Sequence, residues 1–158
     1  MVDLTWEIAD GTIFYLRPMD EMKKTIHMMQ AKRKIDVTSQ FITSVSNDSE
    51  LAINKCKKTL AFYVSVGKIY REFLSKNGFE TETRNIFEEF KKSGFESNHE
   101  LVTSQMIDCL TIAGDPDACQ KQLKKFRETG VDLPIIQFNP IGDVMDSLKL
   151  FSKTFFEE

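Results

Sequence analysis

The chain has 158 residues, of which 41% are hydrophobic and 28% charged, and its formal net charge is -3. This length suffices for one domain with a real core, and this composition excludes a disordered chain and a spanning segment of roughly 20 apolar residues. Basic residues are scattered among acidic ones, so we expect no nucleic-acid partner. The N-terminus MVDLTWEIADG lacks the features of a signal peptide, so we expect a cytoplasmic protein with no membrane association.

The first part of the chain predicts two strands with a helix between them. Residues 12–16 are apolar and follow a short helical segment, which indicates a buried strand. Residues 37–45 are β-branched and aromatic, which predicts the second strand. One face of that strand is polar at Thr38, Gln40 and Ser44. The polar face indicates either an edge strand in contact with solvent or a functional site.

The middle of the chain predicts helices alone. Apolar residues recur at helical spacing over residues 46–110, with Gly67 as a break and Asn77-Gly78 as a stop. This stretch is too long for an ordinary connection between parallel strands. We therefore interpret residues 46–110 as a helical insertion.

The last segment predicts a helix, a strand and a helix. Asp115 suits the N-cap and Pro116 the first position of a helix that ends before Gly130. Residues 133–138 are almost all apolar, as expected for a parallel strand buried on both faces. This alternation predicts one α/β domain, residues 1–158, with about three parallel strands and flanking helices.

No metal site is predicted, and no catalytic residue is named. Cys56, Cys109 and Cys119 follow no zinc or redox spacing, so we expect three buried structural thiols. His27 and His99 have no partner at the spacing of a metal site or a catalytic triad.

Three segments of the chain resemble the luciferase-like monooxygenase family. They are EIADG with the apolar strand after it, AFYVSVGKIYREFLSKNGF, and IAGDPDACQKQLKKFRETGVDLPII. The resemblance is to members such as the deazaflavin-dependent methylenetetrahydromethanopterin reductases, which use coenzyme F-420. Because the family fold is a TIM (β/α)8 barrel of about twice this length, the resemblance implies the C-terminal part of such a barrel.

The resemblance also implies a cofactor site at the C-terminal ends of the strands. The candidate cofactor-binding residues there are Tyr15, Arg17, Ser44, Asn139 and Gly142. The implied cofactor is coenzyme F-420 or FMN, and the implied reaction is hydride transfer or monooxygenation. Earlier strands supply much of the family's pocket, so we expect the chain to be inactive alone and leave open whether it binds a cofactor. The alternative is a non-catalytic interaction protein derived from the same fold.

An arc of three parallel strands leaves two free edges and one uncovered face. Free edges and large apolar patches favour association with other protein. We therefore expect either a homo-oligomer or pairing with a missing N-terminal barrel half.

Overall fold

The computed structural model describes residues 2–156 and contains parallel strands surrounded by helices. In chain order the elements are α1 (Val2–Ile8), β1 (Gly11–Tyr15), α2 (Met19–Gln30), β2 (Asp36–Val45), α3 (Ser49–Val66), α4 (Lys68–Leu74), α5 (Glu80–Ser93), α6 (Ser104–Leu110), β3 (Thr111–Gly114), α7 (Pro116–Arg127), β4 (Leu133–Phe138) and α8 (Val144–Phe155). A π-helical turn precedes α5 and a 3-10 turn precedes α6. Within the described part of the chain, none of these helices combines the length and apolar character needed to cross a bilayer.

Strand β2 lies at the centre of the sheet, and the other three strands pair with it in parallel. On one side β1 places Tyr15 opposite Gln40, and on the other side β4 places Ile135 opposite the same residue. Strand β3 pairs with the end of β2, where β4 already occupies the opposite side, so β3 lies on the side of β1. The sheet is therefore an arc of three strands in the order β1-β2-β4. The fourth strand, β3, pairs only with the C-terminal end of β2.

This parallel arc with flanking helices confirms the α/β fold class. Two details differ from the sequence prediction. Strand β3 was not predicted, because its four residues TIAG lie directly between helix α6 and the cap of α7. Strand β2 is central rather than an edge, because it is paired on both sides. Helices α3 to α6 fill the segment between β2 and β3, and the assignment of residues 46–110 as an insertion stays a prediction.

The outer face of the arc packs against helices α1, α2, α7 and α8 and forms the first core. Phe41 of β2 and Phe126 of α7 are buried, with ring centroids 4.2 Å apart. Each such ring contributes roughly 1.5–3 kcal/mol through removal from water. Helix α7 begins as predicted, because the Asp115 carboxylate accepts the backbone N–H of Ala118 and Pro116 occupies the first turn.

A second core lies between the C-terminal end of β2 and helices α3 to α6. Ile42 of β2 and Leu60 of α3 are both completely buried in it. The predicted break at Gly67 is confirmed, since that residue has φ -93° and ψ 88° and separates α3 from α4. The predicted stop at Gly78 is confirmed as well, with a positive φ of 98°. This second core fixes the helices over the end of the sheet where the candidate site lies.

The inner face of the arc is open near the starts of the strands. Successive side chains of a strand alternate between faces, so the register places Ile13, Thr38 and Leu133 in one row. Ile13 is 68% exposed and Leu133 64% exposed. None of the six residues of β4 is buried, which contradicts the expectation of a strand buried on both faces. On the inner side, the physical reason is that no layer formed by residues 2–156 covers β4; Ile136 and Phe138 pack against the core on the outer side and are partly buried there.

Candidate functional site

Polar side chains join the three strands of the arc at the C-terminal ends of β1 and β4, beside the middle of the longer strand β2. The hydroxyl of Tyr15, the last residue of β1, donates to Oε1 of Gln137 on β4 over 2.9 Å. Gln40 of β2 donates its Nε2 to the same oxygen over 3.1 Å. All three residues are half-buried. The arrangement presents a phenol and two amide groups at two successive levels of the inner face, since Gln137 pairs with Ile42 and not with Gln40.

Tyr15, Tyr63 and Tyr70 form a group that we call the tyrosine cluster, and they are the three tyrosines of the chain. Their ring centroids lie 5.2, 5.7 and 5.8 Å apart, and each pair meets edge to face. Aromatic pairs favour this geometry because the positive edge of one ring meets the negative face of another. Burial, followed by the nearby Tyr63 hydroxyl, raises the pKa of Tyr15. The Tyr15 phenol therefore keeps its proton at neutral pH and acts as a donor.

Gly67 allows the two helical tyrosines to reach Tyr15. Tyr63 lies near the end of α3 and Tyr70 lies in α4, on either side of this glycine. A Cβ atom at Gly67 would stand 2.6 Å from Cδ2 of Tyr70 and 2.8 Å from the backbone oxygen of Tyr63. Only a residue without a side chain fits there unless the tyrosines shift.

The structure brings two of the predicted residues, Ser44 and Asn139, into contact. The Ser44 hydroxyl donates to the backbone oxygen of Asn139 over 2.9 Å. The Asn139 side chain donates to the backbone oxygen of Thr43 over 3.1 Å, and its Oδ1 accepts from the Thr59 hydroxyl of α3 over 3.3 Å. These bonds lock the ends of β2 and β4 to α3. Participation of Ser44 and Asn139 in cofactor binding stays a prediction.

Arg17 is held by other side chains just beyond β1. Its Nη1 donates to both carboxylate oxygens of Glu21, over 2.7 and 2.8 Å. Its guanidinium also lies 4.4 Å from the ring centroid of Phe14 and 4.8 Å from that of Phe73. Arg17 thereby ties β1 and α2 to α4, and its charge is balanced within the chain.

Gly142 lies apart from the tyrosine cluster, in the loop between β4 and α8. It has a φ of 64° and lines a shallow pocket of about 240 Å³. Lys55 and Lys58 of α3 line the same pocket, and the tyrosine cluster does not contribute to it. The structure therefore divides the five predicted residues between several places on the C-terminal side of the sheet.

A larger groove, of about 1160 Å³, opens beside α2 and reaches the starts of the strands. Its lining includes Asp36 and Asp132, which begin or precede strands, and the exposed side chains of α2. Parallel β/α proteins place their chemistry at the C-terminal ends of strands, because the loops there converge on one face. We therefore place the candidate site at the tyrosine cluster and not in this larger groove.

Four residues of the site were missed from the sequence: Gln40, Tyr63, Tyr70 and Gln137. Gln40 carried a signal, because it belongs to the polar face of β2. Tyr63 and Tyr70 are seven residues apart, a helical spacing that is equally typical of core packing. Gln137 meets Tyr15 across 122 positions of sequence, and no local pattern marks such a contact.

The cysteines have only structural contacts within the described residues. Burial raises the pKa of Cys56 and of Cys119 to about 12 each. Cys109 is half-buried, so the expectation of three buried thiols was wrong for that residue. In residues 2–156, no three side chains of the metal-binding types come together as a set of ligands.

Comparison with known proteins places these features in a family context. The family model described as luciferase-like monooxygenase matches residues 1–133. The 5,10-methylenetetrahydromethanopterin reductase of Methanopyrus kandleri is 27% identical over 151 residues, which cover 90% of this chain and 42% of that protein. The reductase of the same name from Archaeoglobus fulgidus is 25% identical over 165 residues, covering 97% and 49%.

A solved structure gives the same result. The coenzyme F-420-dependent tetrahydromethanopterin reductase from Methanopyrus kandleri matches with a TM-score of 0.77 and 26% identity. The match covers 98% of this chain and 46% of that chain. The chain therefore spans about half the length of the relatives it matches, and its fold corresponds to part of a TIM-barrel reductase.

Proposed function

The chain belongs to the luciferase-like monooxygenase family, and on that premise we propose that it is the C-terminal part of an oxidoreductase that transfers hydride with coenzyme F-420. The structural match over 98% of the chain to a coenzyme F-420-dependent reductase carries this proposal. The two curated relatives described above are reductases, which favours hydride transfer over monooxygenation and coenzyme F-420 over FMN. The names of these two reductases point to a substrate class for this proposal, a reduced pterin that carries a one-carbon unit.

The tyrosine cluster and the two glutamines are suited to hold a planar heterocycle. Aromatic rings provide edges and faces for stacking. Because the Tyr15 hydroxyl and one N–H of Gln40 already donate to the Gln137 oxygen, the groups left to bond ring oxygens and nitrogens are the N–H groups of Gln137 and the second N–H and the oxygen of Gln40. The deazaflavin supplies the hydride chemistry when it is bound, and these side chains bind and orient it. Of the five predicted residues, Tyr15 is the one to which this proposal assigns contact with the ring.

The chain by itself is expected to be inactive. The tyrosine cluster stands at the rim of an open face, where Ile13 and Leu133 are exposed to solvent. A redox pocket needs a second wall, because exclusion of water strengthens its electrostatic interactions and protects the transferred hydride. Binding of the cofactor to one wall is correspondingly weak.

A second candidate is a non-catalytic interaction protein derived from this fold. The observation that favours it is that Arg17, Ser44 and Asn139 already bond to groups within the chain. Such side chains offer fewer donors to a cofactor than the family resemblance implies.

The two candidates are separated by titrating the purified chain with coenzyme F-420 and with FMN, using ligand fluorescence. The first candidate predicts weak saturable binding of coenzyme F-420, with a Kd on the order of 0.1–1 mM. Replacement Tyr15→Ala abolishes that binding, and the control Phe95→Ala, an exposed ring outside the tyrosine cluster, leaves it unchanged. Preferential binding of FMN would overturn the deazaflavin assignment. Absence of saturable binding of either compound would favour the non-catalytic protein.

A further inference from the structure

Exposed apolar side chains border the arc β1-β2-β4 on its inner face. Ile13 of β1 and Leu133 of β4 point to that face and are 68% and 64% exposed. They lie in one row, with Thr38 of β2 between them. A row of aliphatic side chains across a sheet is a surface that gains stability when another layer covers it.

The helices at the two ends of the arc carry the same feature. Leu4 and Ile8 of α1, which precedes β1, are 55% and 74% exposed and lie one helical turn apart. Val144 and Met145 of α8, which follows β4, are 54% and 59% exposed. Exposed apolar side chains are therefore also present on the two helices that lie next to the outer strands, in the helical layer on the outer face of the sheet.

Both outer strands of the arc also have a free edge. Within residues 2–156, β1 and β4 each pair with β2 and with no other strand. Unpaired N–H and C=O groups along such an edge favour the addition of another strand. Because β1 and β4 are parallel, one parallel sheet can join both edges and close a ring.

The number of strands decides what closes the ring. An eight-stranded parallel barrel has an interior that side chains just fill. Of the four strands here, the arc β1-β2-β4 supplies three, and β3 only extends the sheet beside the end of β2. A second copy of the chain supplies three strands and makes a ring of six. A segment with five strands makes eight, and the solved reductase has more than half of its length outside the match.

We propose that this surface docks the first five β/α units of a luciferase-family barrel. In that arrangement the last strand of the docked segment lies beside β1 and its first strand lies beside β4, because chain order follows the ring. The docked segment covers Ile13 and Leu133 and faces the tyrosine cluster as the second wall of the pocket. This inference rests on the fold and not on the proposed chemistry.

The test is co-expression with the N-terminal segment of the Methanopyrus kandleri reductase, the part that this chain does not match. Light scattering after size exclusion is expected to show a one-to-one complex. Ile13→Lys and Leu133→Lys each weaken binding at least tenfold, because each places a charge in the covered layer. The matched control is Ile69→Lys, a residue that is 81% exposed and belongs to helix α4 and to no strand of the arc. That variant binds like the unmodified chain.

Several results would overturn the docking surface. The proposal is contradicted if the chain forms a closed dimer that does not bind the reductase segment. It is also contradicted if the chain stays monomeric in the presence of that segment. Binding that survives both lysine variants, with folding confirmed by circular dichroism, contradicts it too. A complex that forms but binds no coenzyme F-420 leaves the docking surface intact and counts against the proposed function alone.

Discussion

Replacement of Gly67 by alanine tests how the tyrosine cluster is assembled. The new Cβ lies 2.6 Å from Cδ2 of Tyr70 and 2.8 Å from the backbone oxygen of Tyr63, where carbon contacts are normally about 3.5–4.0 Å. The ring can turn aside, but the carbonyl belongs to a helix and moves only with its backbone. Overpacking of this kind costs about 1–3 kcal/mol. Alanine also restricts the unfolded chain, which offsets about 0.4–1 kcal/mol of this cost. The middles of the two ranges give an expected net loss of about 1.3 kcal/mol.

Urea unfolding followed by circular dichroism measures this loss, and a double-mutant cycle assigns it. In a Tyr70→Ala background the ring contact is absent, so Gly67→Ala should cost at least about 0.5 kcal/mol less than in the unmodified chain. The near-ultraviolet signal of the tyrosines should fall in Gly67→Ala, because their packing changes. A loss below about 0.5 kcal/mol, or the same loss in both backgrounds, would refute this account of Gly67.

Three further outcomes are expected. Tyr15→Phe removes the hydroxyl bonded to Gln137 and should lower the free energy of unfolding by about 0.5–1.5 kcal/mol; an unchanged urea midpoint would show that this bond does not stabilise the fold. Iodoacetamide should alkylate Cys109 before the two buried cysteines, which react only on unfolding; mass spectrometry of digested protein reports the order, and equal rates would contradict the burial. The N–H of Ala118 holds the pKa of Asp115 below its ordinary value, so the contribution of this carboxylate to stability is fully present at neutral pH and is lost as pH falls through the folded-state pKa. Asp115→Asn should therefore be less stable than the unmodified chain at neutral pH, and the difference should shrink as the pH is lowered through the folded-state pKa of Asp115; a difference that does not change with pH would contradict this linkage.

Local sequence signals predicted much of the framework. Strand β2 and helix α7 followed from β-branched residues and from the cap at Asp115, because both signals act within a few residues. Strand β3 escaped prediction because four residues show too little periodicity to be separated from the helices on either side.

The candidate site was less accessible to prediction than the framework. Tyr15 was named because strand ends of parallel sheets carry function, but its partners Tyr63 and Gln137 come from distant parts of the chain. The break at Gly67 was visible in the sequence, whereas the close approach of two tyrosines around it exists only in the folded chain.

The most informative error concerns β4. Its sequence LPIIQF is that of a strand covered on both faces, and yet none of its residues is buried in this chain. The mismatch has a physical meaning, since a sequence keeps the character suited to its complete environment. Strand β4 therefore supports an assembly larger than residues 2–156.

Hydrogen exchange of backbone amides, measured on the monomeric chain, tests most directly whether β1-β2-β4 is an open arc. The amides of β2 should exchange slowly, because this strand is paired on both sides. Along β1 and β4, the alternate amides that point away from β2 should exchange rapidly. Slow exchange at every amide of β1 and β4 would mean that these edges are already paired within one chain, and it would contradict the open arc and the need for further strands.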